Sequence, residues 1–146
     1  MTYSERGLNL TKAFEGFILE AYQDQGGVWT IGYGHTRGVK AGDSITQLQA
    51  DALLAGDVQE AVQAVHRLVH APLSQNQFDA LVDLQFNAGA ITYRNPNGEP
   101  SGILQRLNAG DMEGAAREFQ RWNKIGTVPN RGLTRRRLAE AQLFRS

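Results

Sequence analysis

The sequence predicts an α+β fold, with a small N-terminal β-hairpin lobe and a larger, mainly α-helical C-terminal lobe joined by a long helix. Three observations carry this reading. Strand formers are concentrated in Phe17–Tyr33, and two capping-box patterns, Thr46/Gln49 and Ser74/Gln77, each precede an apolar repeat of helical period. The chain has 146 residues with no internal repeat and no linker, which fits a single domain. That domain is taken as 1–146, with 14–46 as the β lobe, 1–13 and 70–146 as the helical lobe and 47–70 as the connecting helix.

In chain order, Ser4 is positioned to cap a first helix that turns Leu10 and Phe14 inward, and Gly16 stops it, leaving Glu15 near the helix C-terminus. The turn formers Asp24-Gln25-Gly26-Gly27 precede Val28-Trp29-Thr30-Ile31, which reads as an antiparallel hairpin with a third strand near Val39. Leu54, Val58, Ala61, Val62, Val65 and Val69 then recur at helical spacing up to Pro72. A helix from Gln47 to His70 would span roughly 36 Å at about 1.5 Å per residue. The second capping box opens a buried helix through Phe78, Leu81 and Leu84 that ends near Gly89. Asn95-Pro96-Asn97-Gly98 and Pro100 mark an exposed loop. Three short helices follow, over Gly102–Asn108, Met112–Trp122 and Arg135–Phe144, with Asn123–Gly132 as a loop.

Composition narrows the function. Hydrophobic residues make up 41% of the chain and charged residues 21%, too apolar for a disordered tail. No apolar run is long enough to span a membrane, and Met1–Leu8 lacks the core of a secretory signal. The absence of cysteine removes thiolate nucleophiles, disulfides and zinc-thiolate sites. Net charge is zero, yet Arg117–Ser146 holds eight Arg/Lys against Glu118 and Glu140, a surplus that can steer an anionic partner or simply solvate a helix face. Nucleic acid is a poor candidate for that partner, because aromatics are not interleaved with the Arg131–Arg137 cluster and no reading helix is evident. His66 and His70 have two-histidine metal spacing, but Arg67 stands where a metalloprotease motif carries glutamate, so no metal and no cofactor are expected.

The residues that can carry chemistry lie near the N-terminus. Glu15, Asp24 and Thr30 fall on a helix end, a turn and a strand, placed so that three polar side chains can converge on one groove. Two carboxyls in one groove suit glycoside hydrolysis, in which one acid protonates the leaving oxygen while the other activates water or attacks. A helix C-terminus and the flanking Phe14 and Phe17 disfavour a charged Glu15, as a proton donor requires. On these residues alone, two acids nine positions apart read first as surface acids solvated by water.

Over nearly its whole length the chain resembles the tailed-phage lysozymes, glycoside hydrolase family 24. The family order of Glu, eight residues, Asp, five residues, Thr is matched by Glu15, Asp24 and Thr30, within Phe14-Glu15-Gly16 and Thr30-Ile31-Gly32-Tyr33-Gly34-His35. Asp83-Leu84-Gln85-Phe86-Asn87-Ala88-Gly89, Leu107-Asn108-Ala109-Gly110-Asp111, Trp122 and Gly132-Leu133-Thr134-Arg135-Arg136-Arg137 with Glu140 continue the likeness. The resemblance implies a lysozyme-like fold and hydrolysis of the β-1,4 bond between N-acetylmuramic acid and N-acetylglucosamine, with inversion expected because Asp24 and Thr30 look arranged to hold a water. Glu15 becomes the general acid, and Asp24 and Thr30 hold the attacking water. It also pairs His35 with Asp57 in a structural role. Asn87 either meets sugar acetamido groups or caps local backbone. Arg131 is chosen as the arginine facing the acid, with Arg135, Arg136 or Arg137 left open for that position and the others solvating a helix face. The expected partner is peptidoglycan, met by a monomer made in the host cytoplasm without a signal peptide, inserted in no membrane, and acting on the periplasm or cell wall after release.

Overall fold

The computed structural model describes residues 1–146. Two compact units emerge, Leu8–Gln59 and a second made of Met1–Gly7 with Glu60–Ser146. The element order is α1 (Glu5–Phe14), β1 (Ile18–Gln23), β2 (Trp29–Gly32), α2 (Gln47–Asp57), α3 (Gln59–Leu68), α4 (Gln75–Ala88), α5 (Gly102–Asn108), α6 (Met112–Glu118), a 3-10 turn (Phe119–Trp122), β3 (Lys124–Ile125), β4 (Val128–Pro129) and α7 (Arg131–Arg145).

In the Leu8–Gln59 unit, β1 and β2 form the expected antiparallel hairpin, with Tyr22 opposite Thr30 and Gln23 opposite Trp29. The third chain against the sheet is Asp43–Ile45 and not the neighbourhood of Val39. Ala21 N donates to Asp43 O at 2.8 Å and Ile45 N to Leu19 O at 2.9 Å. Val39 is spent in a turn beside Gly38, whose φ of +72° takes the chain out of extended geometry. Thr46 caps α2 with the full reciprocal capping box. Gly32 ends β2 at φ +64°, and a Cβ there would stand 3.3 Å from the Ala50 side chain, so glycine lets the sheet approach α2. Ile31, Ala50, Leu54 and Val58 make the apolar interior of this unit.

The stretch expected as one helix over 47–70 runs as α2 and α3, with Val58 between them. The Val58 N–H is shared between Leu54 O and Gly56 O, and Gly56 has the weakest helical preference in the segment. The second helix stops at Leu68, where Asn108 supplies the missing partners: its Nδ2 donates to Leu68 O at 2.9 Å and its Oδ1 accepts from His70 N at 2.8 Å. His66 and His70 therefore do not share a helix face, and His66 Nε2 is bonded to Met1 O.

In the second unit, α4 is buried almost all round, from Phe78 to Leu84, and packs most extensively on α7. Val62, Val65, Leu81, Leu84, Ile103, Leu107, Phe119 and Phe144 fill the core about it. Ser74 provides the capping box and Gly89, at φ +68°, the left-handed end. The expected span of α5 is met, whereas Met112–Trp122 tightens into a 3-10 turn at Phe119 and α7 starts at Arg131, four residues earlier than the periodicity suggests. Asn130 caps it by accepting from Leu133 N at 2.9 Å. The expected loop holds the short β3–β4 hairpin, with Ile125 opposite Val128.

Candidate active site

Glu15 is placed by the last hydrogen bond of the first helix, Glu15 N to Thr11 O at 3.0 Å, and its side chain is half-buried. Across from it, β2 turns back on itself: Ile31 and His35 exchange backbone hydrogen bonds of 2.9 Å around Gly32-Tyr33-Gly34. Gly34 lies under the Glu15 carboxyl, with the position of a Cβ only 3.9 Å from Oε2 and φ at +84°. A glycine there leaves the acid an unobstructed side.

Asp24 and Thr30 are joined through one residue, Val28. The Asp24 Oδ1 accepts from Val28 N and from Gly26 N, each at 2.9 Å. Thr30 Oγ1 donates to Val28 O at 2.9 Å. The two side chains are therefore fixed by the same turn, Asp24 exposed and Thr30 buried. Two consequences follow from donor counting. The Asp24 Oδ2 makes no hydrogen bond within the protein, and the Thr30 hydroxyl has given its proton to a carbonyl, so towards a water it presents lone pairs.

His35 and Asp57 meet as expected, with Nδ1 at 2.8 Å from Oδ2 and 3.0 Å from Oδ1, while Nε2 faces Arg37 O at 2.9 Å. The pair ties the end of the β2 turn to the last turn of α2. Charge-assisted hydrogen bonds of this kind contribute about 1.5–3 kcal/mol, less where water reaches them, as at the Asp57 carboxylate. A double-mutant cycle through His35→Ala and Asp57→Ala is expected to show about 1–2 kcal/mol of coupling in urea unfolding. Additive effects of the two changes would remove the pair from the stability of this unit.

The remaining candidates lie in the helical unit. Asn87, in the last turn of α4, accepts at Oδ1 from Arg137 Nη2 at 2.6 Å. Arg131 is exposed as the first residue of α7, apart from that network. The expectation that the other arginines of the run solvate a helix face holds for Arg135 and is corrected for Arg136 and Arg137, which are buried. Arg136 grips Asp83 with two bonds, Nε to Oδ2 at 2.9 Å and Nη2 to Oδ1 at 2.8 Å. Arg137 pairs with Glu140 through Nη2 to Oε2 at 3.0 Å, alongside a 2.7 Å Nε to Oε1 contact whose angle lies outside hydrogen-bond geometry. Burial pushes the Glu140 carboxyl well above its usual range, the adjacent Asp83 adds to this, and Arg137 and Arg136 pull the other way. What the sequence reading missed is that Asp83, Arg136, Arg137 and Glu140 form one buried ion-pair network. Their signal was an aspartate inside the apolar run Phe78–Leu84 and the three- and four-residue spacing of two arginines to Glu140 on one helix.

The family model for phage lysozyme matches residues 12–140. The endolysin of Acyrthosiphon pisum secondary endosymbiont phage 1 is 43% identical over 100% of this chain and 99% of its own. Some endolysin relatives are longer, and the chain spans 56% of one of them. Among solved structures, the muramidase domain of SpmX from Asticaccaulis excentricus is similar at TM-score 0.88 and 38% identity, covering 99% of this chain and 98% of that one. The endolysin from Escherichia coli O157:H7 phage FAHEc1 is similar at TM-score 0.87 and 41% identity, covering 99% and 93%.

Proposed function

The chain belongs to the phage lysozyme family, and from that membership we propose that Glu15, Asp24 and Thr30 carry its chemistry. It is a glycoside hydrolase that acts on peptidoglycan in host lysis. Glu15 protonates the glycosidic oxygen as the bond from C1 of N-acetylmuramic acid to O4 of N-acetylglucosamine breaks, and the bond electrons leave with that oxygen. A water held by Asp24 Oδ2 and the Thr30 lone pairs adds to C1 from the opposite face, and its proton passes to Asp24. Proton exchange with solvent then restores Glu15 as the acid. The cell wall is the place of action; no helix is long and apolar enough to cross a membrane. A monomer suffices, because all three groups come from one contiguous segment.

The observation that carries this reading is the Val28 link. It fixes an open carboxylate oxygen and a hydroxyl with its proton already committed, an arrangement that accepts two hydrogen bonds from one water. Hydrolysis through that water inverts the anomeric centre, so NMR of freshly cleaved glycan is expected to show α-configured reducing ends before mutarotation. A β product, or a trapped glycosyl ester on Asp24, would make Asp24 a nucleophile and end the water-holding role.

A further inference from the structure

In the helical unit, Asn87, Arg121, Trp122, Lys124, Leu133 and Arg137 line a cavity of about 400 Å³. The charged side chains among its lining residues are all cations. Arg137 is fully buried and can only donate, and it donates to Asn87 Oδ1, to Glu140 and to Trp122 O at 3.2 Å. An arginine has no acceptor, so this contact settles which end of the Asn87 amide is oxygen. What Asn87 has left is its NH₂ group, two donors with no partner inside the protein. Lys124 adds an ammonium at the same cavity, and Arg121 a guanidinium already shared with Glu118 at 2.7 Å.

We infer that Arg137, held in turn by Glu140, is a positioning residue that presents the Asn87 amide as a donor to a carbonyl or carboxylate oxygen of the peptidoglycan substrate. The reading rests on the hydrolase function above and adds to it a polarity: this cavity selects an acceptor. Two parts of peptidoglycan carry such an oxygen, the acetamido groups of its sugars and the carboxylates of its stem peptides. A buried Arg–Glu pair is a rigid support, since moving either charge leaves the other uncompensated in the core. The arrangement differs from a simple cap of the α4 terminus, where any acceptor at position 87 would serve Arg137 equally well.

That difference gives the test. Asn87→Asp keeps an oxygen for Arg137 and removes the outward donors. On solubilised peptidoglycan its KM is expected to rise by about tenfold or more with kcat within about threefold of wild type, while Tm is unchanged or higher. Arg137→Lys retains the charge beside Glu140 but loses the fork that also reaches Asn87, and is expected to raise KM in the same direction. In the Glu15→Gln background, the Asn87 side-chain ¹⁵N–¹H₂ signals are expected to shift on adding chitotetraose if the acetamido oxygen is the ligand, and with muramoyl dipeptide but not chitotetraose if the carboxylate is. An unchanged KM for a folded Asn87→Asp protein, or no shift with either probe, overturns the inference. Wild-type turnover and its loss in Glu15→Gln, measured in the same series, report separately on the hydrolase reading.

Discussion

Glu15→Gln is expected to lose lytic activity by about 10²–10⁴-fold, the share of rate that a positioned general acid supplies. The change keeps the shape of the side chain and removes the proton donor. Folding is expected to survive, because the backbone bond to Thr11 O that ends the first helix does not involve the side chain, and Gly34 leaves space over the carboxyl. The measurement is clearing of chloroform-treated Gram-negative cells, with Tm taken on the same samples. Near-normal clearing by a folded Glu15→Gln protein would return Glu15 to the surface acids.

The largest loss of stability is expected at Asp83. Its carboxylate is fully buried and carries the doubly bonded Arg136, itself 4% exposed. Asp83→Ala removes the doubly bonded partner of Arg136 and leaves its guanidinium to share Glu140, 3.9 Å away, with Arg137, which costs about 3–5 kcal/mol, whereas replacing both partners by apolar groups of similar volume costs much less. Urea unfolding of Asp83→Ala, Arg136→Met and the combination Asp83→Leu with Arg136→Met checks this. Single changes costing under about 1 kcal/mol would show that the pair is not what the core is built around.

What the sequence made legible is what short-range chemistry decides. The Asp24–Gly27 turn, both capping boxes, the Gly89 helix end and the bounds of α5 each follow from a few neighbouring residues, and the structure has them. So do the Glu15, Asp24, Thr30 spacing and the His35–Asp57 pair, through the family likeness. The rest depends on contacts between distant segments or on small energies. Val58 continues the apolar period of its neighbours, so the hydrophobic pattern hides the break between α2 and α3, and Gly56 is the local residue that weakens the helix there. The β3–β4 hairpin has two residues per strand, too few for alternation to register, and Asn130 was hidden as a cap between Pro129 and Gly132. Which arginines of Arg135–Arg137 point inward is set by the phase of α7 against α4, and a run of three cations reads on its own as a solvated face.

The pairing of Asp83 with Arg136 has a consequence for the order in which the molecule is made. The segment Leu8–Gln59 is contiguous and holds Glu15, Asp24, Thr30, His35 and Asp57, so the Asp24–Val28–Thr30 link and the His35–Asp57 pair have all their members once Gln59 has left the ribosome. The helical unit must wait: Asp83 and Asn87 on α4 meet Arg136 and Arg137 only when α7 is translated. At about 5–20 residues per second, the stretch from Asp83 to Arg136 takes roughly 3–11 s to make. During that time, closing the core around α4 would bury the Asp83 carboxylate before Arg136 exists to face it, a cost that opposes early closure. Chain direction thus completes the acid-bearing segment before the helical unit has its last helix.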